Sequence, residues 1–243
     1  MSIHSETPPA AQRQAPKRRN NTQRDATIHG PVAEVIRKHK IAPATALGWV
    51  LQSMGGFGSK SRRHRPSEVK KWAERQGLHV TSIGGCDYVT TVAGAAAVNL
   101  INNAQHEAAV CAIELATTMA GGVSDTTGAI DWTDGEERRA GQKYADLYLY
   151  DVNDMSVTAF EIERRQKASG RYTDIVLNYE EAIEKRQITE VIYLVGSPII
   201  GGVIKKHAAT LMEAGRLNVV DIDAFFKNCL ARAGVLVEGP TGI

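Results

Sequence analysis

The sequence predicts an α+β protein, with a helical, basic first part and an α/β second part. Three observations predict it. The chain has 243 residues, 43% hydrophobic and 23% charged, which suffices for a buried core and for one large domain or two small ones. Residues 1–75 hold 15 Lys/Arg against 5 Asp/Glu, while the other 168 hold 14 against 22, so the total of +2 conceals +10 and −8. Apolar spacing is helical early in the chain and later alternates between strands and helices.

The charge split points to a basic module that meets a polyanion, with nucleic acid the usual one, and an acidic module with another task. A merely solvated basic surface is the plainer reading. Cys86, Cys111 and Cys229 are far apart and form no CxxC pair, which argues against a disulfide scaffold or a thiolate zinc site. There is no apolar run of 18 residues, and the polar N-terminus lacks the apolar stretch of a secretory signal. A cytoplasmic chain without membrane insertion is expected.

Residues 1–27 are rich in Pro, Ala, Gln, Asn and Arg, with a basic knot at Lys17, Arg18 and Arg19. They read as a disordered basic arm, able to add salt-sensitive phosphate contacts or only to aid solubility. Residues 28–103 follow as one unit. Pro31 opens a helix in which Val32, Val35 and Ile36 repeat at helical spacing. A second helix reads from Pro43 through Leu51 and breaks at Gly55, Gly56 and Gly58. A third spans 67–76, with Val69, Trp72 and Ala73 inward and Gly77 as its stop. Two β-rich runs around Gly84 and Gly85 read as a hairpin, and AGAAAVNLINN resumes as helix.

Three helices, a hairpin and a further helix is the order of a winged helix-turn-helix, whose third helix enters the DNA major groove. Ser67, Lys70, Lys71 and Arg75 are the candidate contacts of that helix, and Lys60, Arg62, Arg63 and Arg65 lead into it. An ordinary helical bundle with a basic rim is the competing view.

Residues 104–243 read as the α/β domain. A helix at 104–120 precedes a polar stretch at 123–142 that contains DWTDGEE. Strands at 145–152 and 157–163 flank a turn at Asn153 and Asp154. A helix at 170–184 carries Tyr172, Ile175, Val176, Tyr179 and Ile183 on one stripe. VIYLVG is a buried-strand run, followed by a helix at about 201–214, a strand at 217–221 and a helix from Asp223 to Ala233.

The chemistry-bearing pattern lies on the first two strands of this domain. Glu161 and Glu163 share one face, Phe160 and Ile162 the other. If the strands pair as a hairpin, Asp146 falls near Glu161. Carboxylates so placed repel one another unless a cation lies between them, and hard oxygen ligands favour Mg²⁺ or Mn²⁺. Such an ion polarises a phosphoryl oxygen and acidifies an attacking water. Lys167 could offer positive charge to the transition state. A solvent-facing acidic pair beside Arg164 and Arg165 is the plainer alternative.

YADLYLYDVNDMSVTAFEIERRQKASGRYTDIVLNYEE, followed by VIYLV, resembles the nuclease-like half of the replication-relaxation family and the PD-(D/E)XK restriction-endonuclease core. The helix–hairpin order and DYVTTVAGAAAV resemble that family's winged-helix half. In length and arrangement the chain is similar to MobC-type plasmid mobilization relaxases over roughly residues 30–222. The resemblance implies a restriction-endonuclease-like mixed-sheet domain after the winged helix. It also implies a metal-dependent, site- and strand-specific endonuclease that nicks double-stranded plasmid DNA at the transfer origin, with an accessory mobilization protein and a coupling ATPase as partners.

By position, Asp146 matches the first acid of that core and Glu161 the acid of the next strand. The core's lysine belongs two residues after that acid, where Glu163 stands, and Lys167 is the candidate substitute. Glu114 matches a helix acid sometimes used to reach the metal. Most relaxases use a tyrosine and a three-histidine metal site. The seven histidines here (His4, His29, His39, His64, His79, His106 and His207) form no HxH or HxxxH pair. Hydrolysis by an activated water is therefore expected, although Tyr172 and Tyr179 on the buried stripe leave a tyrosine nucleophile open. The alternative from another class is a non-catalytic winged-helix replication or transcription accessory protein.

Overall fold

The computed structural model describes residues 29–54, 66–92, 101–121, 130–134, 145–151 and 155–243. The expected basic arm, the leading cations Lys60, Arg62, Arg63 and Arg65, residues 93–100 and the turn at Asn153 and Asp154 lie outside the described residues.

The first unit is α1 (Gly30–His39), β1 (Ile41–Pro43), α2 (Ala44–Ser53), α3 (Pro66–Arg75), β2 (His79–Ile83) and β3 (Cys86–Thr90). Its antiparallel sheet has the order β1-β3-β2. The sequence reading lacked β1. Three residues ending in Pro43 carry no alternation, and the proline is tolerated because β1 is an edge strand. α3 buries Val69, Trp72 and Ala73, as its spacing predicts. It stops at Gly77, whose φ of 70° is left-handed, and Leu78 N–H donates to Ala73 O at 2.8 Å. The β2–β3 turn needs positive φ at both central residues, and Gly84 and Gly85 supply it at 59° and 82°.

The second unit comprises α4 (Ile101–Gly121), β4 (Ile130–Asp134), β5 (Leu147–Asp151), β6 (Ser156–Glu163), α5 (Ser169–Glu184), β7 (Glu190–Val195), α6 (Pro198–His207), α7 (Ala209–Glu213), β8 (Leu217–Asp221) and α8 (Ile222–Arg232). The strands form a mixed sheet of order β4-β5-β6-β7-β8, antiparallel from β4 to β6 and parallel from β6 to β8. β4 lies in the stretch read only as polar. Only Ile130 and Trp132 alternate there with Asp131 and Thr133, too short a run to stand out in a polar stretch, and β4 is an edge strand. The single helix expected at 201–214 is two helices that meet at Ala208.

β6 is the central strand, buried from Val157 to Glu163. One face presents Phe160 and Ile162 to a core shared with Leu194, Ile222 and Phe226. The other presents Val157 and Ala159 to Tyr148, Tyr172, Tyr179 and Tyr193. The first of these cores also holds Ile36, Leu47, Val69 and Trp72 of the N-terminal unit and Ile113 of α4. The expected boundary at 103/104 thus falls inside α4, and one hydrophobic core runs across it. A second contact places Ile41 and Tyr88 against Ala104 and Ala108, so the small sheet rests on the first half of α4.

Candidate active site

The hairpin register brings the two acids together. Leu147 pairs with Phe160, and Asp146 N–H donates to Phe160 O at 2.9 Å, so Asp146 stands opposite Glu161. Cross-strand partners share a face, so the two carboxyl groups sit side by side and each acts on the ionisation of the other. Asp146 Oδ2 accepts from Ile162 N–H at 2.7 Å, and Oδ1 lies 3.0 Å from His106 Nε2 on α4. Glu163, two residues along β6, forms an ion pair with Lys167. Tyr172 Oη accepts from the Lys167 backbone N–H at 2.9 Å and fixes the turn that carries this lysine. Glu161 and Glu163 are 8% and 5% exposed, so neither is a solvent-face glutamate.

Burial and like charge divide the pair electrostatically. Burial, then the negative charge of Asp146, pushes the Glu161 carboxyl well above the usual range. Burial would raise Asp146 too, but the His106 hydrogen bond and charge and the Ile162 N–H hold it below its usual value. Burial tends to lower His106 and Lys167. Asp146 outweighs it at His106, and Glu161 with Glu163 outweighs it at Lys167, so both cations are raised. Without a further cation, one proton shared between Asp146 and Glu161 relieves their repulsion.

Tyr193 is the register partner of Glu161 on β7 and is fully buried. Its hydroxyl has no hydrogen-bond partner among the described residues and feels the charges of Glu161 and Glu163. Tyr172 and Tyr179, left open as nucleophiles, are each 0% exposed and belong to the core behind the acids.

The structure does not bring Glu114 to this cluster. Glu114 Oε2 lies 2.6 Å from His39 Nε2 and 3.3 Å from Lys38 Nζ, so the carboxylate joins α4 to the end of α1. It lies two helical turns beyond His106, about 12 Å along the axis. His106 is the residue that sequence reasoning missed. A search for histidine pairs close in sequence could not find a histidine whose partner is a carboxylate 40 residues away. We expect His106→Ala to lower any activity of Asp146 by about 10- to 100-fold, the usual cost of removing a residue that orients a ligand. Steady-state rates of the two proteins check this.

On α3, Ser67, Lys70, Lys71 and Arg75 are all exposed, on the side away from Val69 and Trp72. Among the described residues, no group of three His, Cys, Asp or Glu side chains is arranged to hold a metal ion, and no helix is long and apolar enough to cross a membrane. No protein-family model, curated protein or solved structure matches the chain.

Proposed function

We propose that this chain is a metal-dependent DNA endonuclease of the mobilization-relaxase kind, which binds double-stranded plasmid DNA at a transfer origin and nicks one strand. The observation that carries the proposal is the Asp146–Glu161 pair, Glu161 buried and Asp146 partly buried, opposite each other on neighbouring strands with Lys167 beside them. The order of α4, β4, β5, β6, α5 and β7, with β6 and β7 parallel, supports the restriction-endonuclease-like reading. The order of α1, β1, α2, α3, β2 and β3, with the sheet β1-β3-β2, supports the winged-helix reading.

Asp146 and Glu161 would hold Mg²⁺ or Mn²⁺. Two adjacent carboxyls, one buried and one partly buried, that must otherwise share a proton fit a hard divalent cation, and Mg²⁺ commonly takes only one or two protein carboxylates beside substrate phosphate and water. When bound, such an ion supplies Lewis-acid polarisation of a phosphoryl oxygen and a lower pKa for an attacking water. The other steps belong to the chain. His106 and the Ile162 N–H fix the orientation of Asp146. Lys167, kept protonated by Glu161 and Glu163, offers positive charge where negative charge develops. Glu163 holds Lys167 in place and so occupies the motif-lysine position as that lysine's anchor.

The test is relaxation of supercoiled plasmids with and without the origin, in Mg²⁺, Mn²⁺ or EDTA. Nicking that needs the metal and the origin is expected, and its absence under every condition overturns the proposal. A second reading, a non-catalytic winged-helix accessory protein, is favoured by the lack of a three-ligand group among the described residues and by Glu163 at the lysine position.

For DNA binding, replacing Lys70 and Lys71 together by alanine is expected to weaken binding. The slope of log K against log salt should flatten by about 1.8 if each neutralises one phosphate. Anisotropy titrations on an origin duplex read this, and an unchanged slope removes α3 from the interface.

A further inference from the structure

The C-terminal part of the chain is acidic overall, yet the segment leaving the acid pair is cationic. Residues 164–171 read RRQKASGR, four cations with no Asp or Glu. Two of the four are engaged by the protein. Lys167 pairs with Glu163, and Arg164 Nη1 donates to Gln105 O on α4 at 3.4 Å. Arg165 and Arg171 are exposed, and neither has a carboxylate partner among the described residues.

The segment is fixed along its length. Gly196 N–H donates to Glu163 O at 3.1 Å where β6 ends, Tyr172 Oη takes the Lys167 N–H, and Arg171 N–H donates to Ala168 O at 3.0 Å. His207, at the end of α6, lies 2.9 Å from Ser169 Oγ and 3.0 Å from Thr173 Oγ1 and braces the first turn of α5. The charge of Arg164 acts on Tyr88 of β3 and its guanidinium reaches Gln105 on α4, so the segment runs from the acids towards the N-terminal unit. Arg165 is two residues from Glu163, about 7 Å at most along the chain, within a Debye length at physiological salt. Phosphate approaching Asp146, Glu161 and Glu163 meets repulsion, which exposed, unneutralised cations on the adjoining segment offset.

We propose that Arg165 and Arg171 form a second phosphate-binding ledge, separate from α3, for the backbone of the DNA strand presented to Asp146 and Glu161. The strand's position rests on the nuclease reading, whereas the ledge's affinity for a phosphodiester backbone does not.

The experiment uses the full chain in EDTA, so that binding is read without cleavage. A labelled origin duplex and its single strand are titrated against wild type, Arg165→Gln with Arg171→Gln, and Arg165→Lys with Arg171→Lys. The glutamine pair should flatten the salt slope by about 1.8 on the duplex or about 1.4 on the single strand, and the lysine pair should restore it. Because both residues are exposed, the thermal midpoint should not move. An unchanged slope with an unchanged midpoint overturns the ledge. A flattened slope in a protein that nicks nothing in Mg²⁺ or Mn²⁺ keeps the ledge and removes the nuclease reading. Nicking with an unchanged slope does the reverse.

Discussion

Asp146→Asn and Glu161→Gln are each expected to reduce nicking of a supercoiled origin plasmid by about three orders of magnitude. That is the scale on which a preorganised charge-stabilising group acts. Both substitutions keep side-chain size while exchanging an ionisable carboxyl oxygen for a donor amide, so the sheet and the α3 surface should persist. DNA affinity in EDTA should therefore stay within about twofold of wild type. The two variants should fail in the same way, because the carboxyls face each other across one strand pair and act as a unit. Full activity in either variant excludes that residue from the chemistry. Denaturing electrophoresis of nicked product then separates hydrolysis, which leaves free DNA ends, from a tyrosine route, which leaves protein attached.

The second large effect is on stability and has the opposite sign. In the folded, metal-free protein Glu161 binds its proton more tightly than the ordinary value of 4.5 allows. Folding therefore takes up a proton as pH rises above 4.5 towards the raised folded value, and stability falls across that window. Asp146 behaves oppositely. Its folded value lies below 3.8, so its contribution is present above that pH and is lost only on acidification. Lys167, raised above 10.5, contributes below that pH and loses its contribution only in strong base. The fall between 4.5 and 6.5 thus reports Glu161, and above 6.5 His106, which Asp146 also holds above its usual value, loses its own contribution in the same direction.

Glu161→Gln removes the penalty and can still donate to Asp146. At pH 8 in EDTA it should be more stable than wild type by about 1–3 kcal/mol, the scale of relieving one buried uncompensated group. For a chain of this size that is a midpoint rise of roughly 2–4 °C per kcal/mol. The difference should vanish near pH 4, and Mg²⁺ or Mn²⁺ should narrow it by stabilising wild type alone. A midpoint difference that does not change with pH would show that Glu161 carries no such burden. Together the two results would identify a side chain that costs stability at rest and is needed for function.

Much of the fold was legible because its signals are local. The Val69, Trp72 and Ala73 stripe, Gly77 at the end of α3, the Gly84–Gly85 turn and the Tyr172–Tyr179 stripe each follow from spacing and backbone preference over a few residues. The strand at 217–221 was read at its observed bounds. β1 and β4 were missed because both are short edge strands, β1 without alternation and β4 with a single apolar repeat, and their pairing comes from neighbours distant in sequence. At the site, Glu161 and Glu163 could be placed on one face by the two-residue repeat alone, and Asp146 followed once a hairpin was assumed.

The sequence by itself determined which residues could share a strand face or a helix stripe, because those periods are properties of the backbone. Tertiary structure alone decided which carboxylates meet which cations. α4 lies between the two sheets and sends His106 to Asp146 and Glu114 to His39 and Lys38. A helix offers a new direction at every residue, so two polar groups eight positions apart can serve different partners, and only the packing of distant elements selects them.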